Sequence, residues 1–256
     1  MESITAVIIT KNEERNIGRC LESLQGVADE VVVVDSGSTD QTEAICREHG
    51  ARFVHHDWEG YSAQKNYANS LATHPWLLSI DADEALSPTL RESLLKMKAD
   101  GPDRGAVYSF NRLTNYCGHW IRHCGWYPDC KERLWATGFA HWEGEVHEEL
   151  RYQSEPRRAT LEGELLHYSY YSATELVSRQ QHYAALAAEK AHRQGRRCSM
   201  AALVLKPGWT FVRNYLLRGG FRDGAAGYTI CRMSAYYTFL KYTLLRERYS
   251  SPKRVQ

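Results

Sequence analysis

The sequence predicts an α/β protein: a mostly parallel, Rossmann-like sheet flanked by helices, followed by a helical C-terminal extension. Three observations carry that reading. Short apolar runs rich in β-branched residues alternate with helical segments through the N-terminal part of the chain, the pattern of a parallel sheet covered on both faces. One of these runs, Leu77-Leu78-Ser79-Ile80, stops at Asp81-Ala82-Asp83-Glu84. The C-terminal stretch is helical in pattern and strongly basic: residues 190–256 hold 14 Lys and Arg against 2 Asp and Glu.

Ile4 to Thr10 is nearly all apolar and reads as a strand buried on both faces. Asn12 is placed to cap a following helix whose buried stripe is Ile17, Cys20, Leu21 and Leu24. Val31 to Val34 is a second strand, ending at Asp35. The turn Ser36-Gly37-Ser38-Thr39-Asp40 follows, with Ser38 and Gln41 spaced as a capping box and Gly50 closing the helix. Arg52 to Val54 is a short third strand, Gln64 to Leu71 a helix, and 76–80 the fourth strand. Ser87-Pro88 starts another helix, with Ser as cap and Pro at the first position. Beyond 105 the pattern changes. Tyr, Trp, His and Cys crowd between strand-like pieces such as 105–111 and 164–168. Ser172 and Glu175 then open a long helix that stops at Gly195. The remainder is helical, with breaks expected at Pro207 and Gly219-Gly220. The expected organisation is 1–104, 105–171 and a basic helical extension over 172–256.

The composition, 43% hydrophobic and 25% charged, is that of an ordinary globular protein. Met1-Glu2-Ser3 leads directly into a strand, so no signal peptide is expected, and no apolar run is long enough to span a bilayer. Seven scattered cysteines suit reduced thiols in a cytosolic protein. The net charge of +1 conceals a balance of −11 over residues 1–189, where 18 Lys and Arg face 29 Asp and Glu. The basic tail, with aromatics between its cations, predicts an anionic partner.

Three strand exits carry polar groups: Thr10-Lys11-Asn12-Glu13-Glu14, Asp35 to Asp40, and Asp81-Ala82-Asp83. In a parallel sheet these share the edge where ligands bind. Carboxylates there accept hydrogen bonds from a base or ribose, and the 36–39 turn offers backbone N–H groups. An Asp-x-Asp pair can aim oxygens at one hard divalent cation, Mg²⁺ or Mn²⁺, which neutralises a diphosphate; the competing reading is a simple turn or helix cap.

The segments Val7 to Glu13, Val34 to Asp40 and Asp81-Ala82-Asp83 resemble the family 2 glycosyltransferases of GT-A fold. Gly125-Trp126-Tyr127-Pro128-Asp129, Arg133-Leu134 and Val146-His147-Glu148 resemble one branch, the bacterial transferases that add a hexose, typically glucose, to the lipopolysaccharide inner core. The resemblance implies inverting transfer from a UDP-sugar. It implies that Thr10, Asn12, Glu13, Asp35, Ser36 and Lys65 line the nucleotide, that Asp81 touches ribose or metal, and that Asp83 is the firmest metal ligand. It places Trp126, Tyr127, Asp129, Arg133 and His147 among the acceptor or phosphate contacts.

A sugar hydroxyl needs a base, and Glu148 is the candidate, with Glu149 and Asp129 behind it. Cys117 to Cys124, with Cys130 beyond, invites a zinc reading, but the spacing fits no Cys-x-x-Cys site. Trp120, Trp126 and Tyr127 are expected instead as a sugar-stacking wall, core aromatics being the alternative. The expected acceptor is the lipopolysaccharide core or another lipid-linked glycan. The tail, through Arg213, Arg218 and Arg222 with Trp209 and Phe211, is expected to meet an anionic membrane on the cytoplasmic side. No nucleic-acid-binding motif is present. Transfer of another sugar to a capsule or O-antigen intermediate, a nucleotidyltransferase, and a non-catalytic nucleotide-sugar-binding module are the alternatives.

Overall fold

The computed structural model describes residues 2–144 and 148–250. The chain divides into two compact units, 1–113 with 129–168 and 114–128 with 169–256. The 114–128 segment, placed by sequence in the acceptor-side half, thus clusters with the C-terminal helices.

In the first unit, β1 (Ile4–Thr10), β2 (Glu30–Asp35), β3 (Arg52–His55) and β4 (Trp76–Asp81) alternate with α1 (Ile17–Leu24), α2 (Thr42–Glu48) and α3 (Tyr61–Ser70). β5 (Glu84–Leu86), α4 (Pro88–Asp100), β6 (Ala106–Tyr116), β8 (Asp129–Ala136), β9 (Ala140–Glu143), β10 (Glu149–Tyr152) and β11 (Arg157–Tyr170) complete it, with β7 (His119–Ile121) inserted before β8. The sheet order is β3-β2-β1-β4-β8-β6-β11-β5. The run β3-β2-β1-β4 is parallel; β8 runs against β4, β6 against β8 and β5 against β11. The sheet is therefore mixed.

Alternation along β1 explains why its strand is almost wholly apolar. Ile4, Ala6 and Ile8 pack with Ile17, Leu21 and Leu24 of α1 and Leu90 and Leu94 of α4. Val7 points the other way, into a cluster with Val32, Val34, Leu77, Trp135 and Ala68 of α3. Both faces of β1 and β4 and of the latter part of β2 are buried, as the sequence requires, while β3 at the sheet edge is half-exposed.

Two expected helix starts shift. α1 begins at Ile17, and Asn12 sits at φ 55° with its Oδ1 accepting from Thr39 N–H at 2.8 Å. α2 begins at Thr42, and the Ser38 hydroxyl bonds Asp35 and accepts from Asn12 N–H instead of capping. Partners across the two loops outcompete local caps. Ser87 does cap α4, accepting from Leu90 N–H at 3.2 Å.

In the second unit β7 pairs with Thr114–Tyr116 of β6, and Cys117 N–H donates to Tyr170 O at 2.8 Å. α5 (Ala173–Arg193) opens on Ser172, whose hydroxyl accepts from Glu175 N–H. α6 (Met200–Val212) opens on Ser199 and runs through Pro207. The break falls later, in a π turn over Arg213–Leu217 and a 3₁₀ turn over Gly220–Asp223, before α7 (Gly224–Ser250). Tyr116, Ile121, Cys124, Leu176, Ile230 and Cys231 form one core cluster here. No helix among the described residues is long and apolar enough to cross a membrane.

Gly163 in β11 has φ +98°, and a Cβ built there would lie 2.3 Å from Leu90 N at the start of α4. Both the dihedral and the backbone contact demand glycine. Gly163→Ala should destabilise the protein by about 2 kcal/mol or more, read as a lowered Tm in thermal denaturation; an unchanged Tm would show that β11 and α4 can separate without loss.

Candidate active site

Strand register brings the predicted exits together. Thr10 is opposite Asp35, Ile9 is opposite Asp81, and Asp35 is opposite His55. The carboxyl ends of β3, β2, β1 and β4 thus form one edge. The loops after β1 and β2 are laced to each other. Asn12 N–H donates to Ser38 Oγ, Glu13 N–H to Thr42 Oγ1, Glu14 N–H to Asp40 Oδ2, and Gln41 N–H to Glu14 Oε2. Asp35 accepts from Gly37 and Ser38 N–H, both at 2.8 Å, and so fixes the turn that follows its own strand. Ser36 Oγ is reached by Gln64 Nε2 at 3.1 Å, whose Oε1 lies 2.8 Å from His56 Nδ1. Thr10 is 5% exposed and its hydroxyl has no hydrogen-bond partner among the described residues. A buried polar atom without a partner is costly, and a ligand group at this edge would satisfy it.

The Asp-x-Asp segment rests on a buried charge network. Glu84 is 1% exposed and Arg133, from β8, 4%. Arg133 Nη2 donates to Asp81 Oδ2 at 2.8 Å and to Glu84 Oε1 at 2.7 Å. Glu84 Oε2 also accepts from Asp81 N–H at 3.0 Å. Lys65 Nζ, from α3, lies 3.3 Å from Asp81 Oδ1 and 4.7 Å from the Trp142 ring centre. Burial pushes the Asp81 carboxyl up, but Arg133 and then Lys65 hold it well below the usual carboxylate range. Asp81 is ionised, with both oxygens engaged.

Asp83 has a different partner. Its Oδ2 lies 3.1 Å from His167 Nε2 on β11, and Tyr168 N–H donates to its backbone carbonyl at 2.9 Å. Carboxylate and imidazole are both ligand types for a divalent cation. Among the described residues no cluster of three or more such side chains has metal-holding geometry. The donor set suits an ion that draws its remaining ligands from substrate phosphate and water, as Mg²⁺ does. His167 was not singled out by sequence. Its pairing with Asp83 spans 84 residues, and nothing local marks it.

The other expected residues fall in different places. Arg133 does not face a phosphate: its guanidinium points inward, because two carboxylates at the end of β4 must be compensated there. Asp129 accepts from Arg112 at 2.7 Å and lies 2.9 Å from Lys131. Burial raises its pKa, yet these two cations bring it below the ordinary value, which suits an ion-pair partner better than a base. Glu148 immediately precedes β10, whose first residue Glu149 pairs with Glu143. The β9 end of this hairpin is tied to α3 by Asn66, which exchanges two 2.8 Å bonds with the Trp142 backbone, and by Ser62 Oγ donating to Gly144 O. His147 lies outside the described residues. Trp126 and Tyr127 belong to the second unit. Trp126 packs in its core, 5.7 Å from the Tyr170 ring, which is the core-aromatic alternative, and Tyr127 lies under the Arg122 guanidinium at 5.4 Å.

The three motifs on which the sequence resemblance rests thus lie along one parallel edge. The profile of Glycosyl transferase family 2 matches residues 5–152. The chain belongs to that family. It is a glycosyltransferase of GT-A fold. It is 33% identical over 265 residues to an uncharacterized glycosyltransferase of Rickettsia felis, covering 100% of this chain and 93% of that one. It is 31% identical to the lipopolysaccharide core biosynthesis glycosyltransferase LpsC of Rhizobium meliloti, covering 98% and 94%. Among solved structures, glucosyl-3-phosphoglycerate synthase from Mycobacterium tuberculosis is 24% identical over 44% of each chain, with a TM-score of 0.37; that partial likeness bears on neither donor nor metal.

Removing Arg133 leaves Glu84 buried without its main partner. Arg133→Met should destabilise by about 3–5 kcal/mol, and Glu84→Gln in the same chain should restore part of the loss. A denaturant-melt double-mutant cycle measures the coupling, and strictly additive losses would show that the two do not act as a pair.

Proposed function

We propose that this glycosyltransferase inverts configuration while moving a hexose, glucose in the first instance, from a UDP-sugar to a heptose of a lipopolysaccharide-core acceptor. The observation that carries the donor half is the braced Asp-x-Asp exit beside the laced loops at 11–14 and 36–41. The acceptor half rests on the likeness to LpsC over nearly the whole chain. Asp35, Asn12 and Glu13 bind the nucleoside, with Ser36 and the unpartnered Thr10 hydroxyl completing that edge. Lys65 and Asp81 hold each other in place there. A divalent cation, Mg²⁺ or Mn²⁺, held by Asp83 and His167 would neutralise charge on the departing diphosphate.

Glu148 takes the proton of the acceptor hydroxyl as that oxygen attacks the anomeric carbon from the face opposite the diphosphate. Its position supports the role. It immediately precedes β10, whose partner strand β9 leads to Gly144, bonded to the first turn of α3, and Lys65 follows one turn further along that helix. Asp129 is bound to Arg112 and Lys131, and Glu149 lies 3.6 Å from Arg151, so neither is as free to accept a proton.

Mass-spectrometric screening of donor hydrolysis over UDP, GDP, TDP and CDP sugars tests the donor assignment. UDP-glucose should turn over fastest, and preference for another nucleotide would overturn it. UDP titrated by calorimetry should bind far more weakly in EDTA than with Mn²⁺, and Asp83→Ala and His167→Ala should each remove most of that difference, with turnover falling on the order of 10²–10³-fold. Equal affinity in both buffers would take the cation out of the mechanism.

Glu148→Gln should keep UDP affinity and lower kcat by about 10²–10⁴-fold. Near-normal turnover in this variant, with Glu149→Gln inactive, would move the base by one residue.

A further inference from the structure

The outward face of α6 is apolar. Apart from Lys206, every exposed residue of this helix is an apolar side chain or glycine. Val204 (67% exposed), Leu205 (68%), Trp209 (56%) and Val212 recur at helical spacing, and Leu216 and Leu217 (69%) extend the row into the π turn. A helix that only packs on a protein body turns charged residues to water. Here the inward face does the packing through Phe211, which stacks on Tyr215 at 5.2 Å and joins the core cluster. The sequence expectation that Phe211 enters a membrane is thereby corrected: it is an anchor to the protein, and the residues left over face outward.

Charge surrounds this row. Residues 190–222 contain eight Lys and Arg and no Asp or Glu. Arg196 and Arg197 precede α6, and Arg218 and Arg222 follow its last turn, all exposed. The second unit as a whole carries 16 Lys and Arg against 4 Asp and Glu. A surface that accepts an apolar row while attracting a rim of cations must be apolar beneath an anionic layer.

We infer that α6 and the turn after it form an in-plane anchor that docks on an anionic lipid bilayer, with Val204, Leu205, Trp209, Leu216 and Leu217 entering the headgroup–acyl boundary and the flanking arginines meeting lipid phosphates. A second copy of the chain is a poorer occupant. Presenting the same face, it would oppose cations to cations. Among the described residues of the first unit the exposed large apolar side chains are Trp58, Tyr61 and Leu95, too few to cover the row. Nucleic acid would satisfy the cations but not the exposed leucines. The inference concerns the second unit alone and does not depend on the identity of donor or acceptor.

The test is co-sedimentation of the full chain with vesicles of phosphatidylcholine alone and with phosphatidylglycerol added, at low and high salt. Binding should require phosphatidylglycerol and fall at least about tenfold as salt screens the arginines. Leu205→Glu with Trp209→Glu should lower binding about tenfold or more at low salt. Both side chains are exposed, so circular dichroism and UDP affinity should stay at wild-type values. Arg196→Glu with Arg222→Glu should also lower it. Retention in the supernatant with phosphatidylglycerol vesicles at low salt would overturn the inference. So would loss of binding in the arginine variant alone, which marks a purely electrostatic face such as a nucleic-acid binder uses. Concentration-dependent dimerisation in sedimentation velocity that Leu205→Glu with Trp209→Glu abolishes would assign the row to a second copy.

Discussion

The buried guanidinium of Arg133 is the constraint on which the active-site edge depends. Asp81, Asp83 and Glu84 lie within four residues at the exit of a strand whose preceding side chains are fully buried. Without compensation such a cluster would repel itself in a medium of low dielectric, and the strand would end elsewhere or the carboxyls would protonate. Arg133 is placed by antiparallel pairing of β8 with β4, so the antiparallel half of the sheet supplies the charge that the parallel half needs. Arg112 of β6 approaches Glu84 at 3.5 Å and ties in a further strand. A single guanidinium nitrogen, Arg133 Nη2, meets both carboxylates, which come from different elements.

This arrangement separates two roles that look equivalent in sequence. Asp81 is saturated by protein cations and acts as a fixed part of the frame. Asp83, two residues on, faces the imidazole of His167. The edge is therefore held rigid before any ligand arrives: the loops at 11–14 and 36–41 are held by bonds to each other, and Asp35 holds its own turn. Holding groups in place before a charged ligand arrives is what makes electrostatic stabilisation effective.

Much of this was legible because strand and helix alternation fixes which ends of the strands share an edge. The apolar runs at 4–10, 31–34 and 76–80 and the Ser87 cap needed no tertiary information. What failed was local logic where a distant partner intervened. Asn12 and Ser38 looked like helix caps, yet each bonds across to the neighbouring loop. Arg133 looked like a phosphate contact because a sequence displays its charge and conceals the carboxylates opposite it. His167 and Glu84 are silent in the sequence for the same reason: one meets Asp83 from β11 and the other meets Arg133 from β8, both far along the chain. Pro207 was expected to break a helix. The chain runs through it, and the break occurs at 213–223.

The charge distribution has the same character, invisible in the total and decisive in the parts. The first unit carries 16 Lys and Arg against 27 Asp and Glu, the second 16 against 4. Near an anionic surface the first unit is repelled and the second attracted, each over a Debye length of about 8 Å at physiological salt. Approach through the second unit is the one that charge favours. Long-range attraction alone would hold the chain loosely and at any angle. The apolar row on α6 acts only at contact and only in one orientation of that helix, because its members lie on a single face. In the docking inferred for α6 the two terms have separate parts: the cations favour the approach of this unit, and the apolar row sets which way its helix lies.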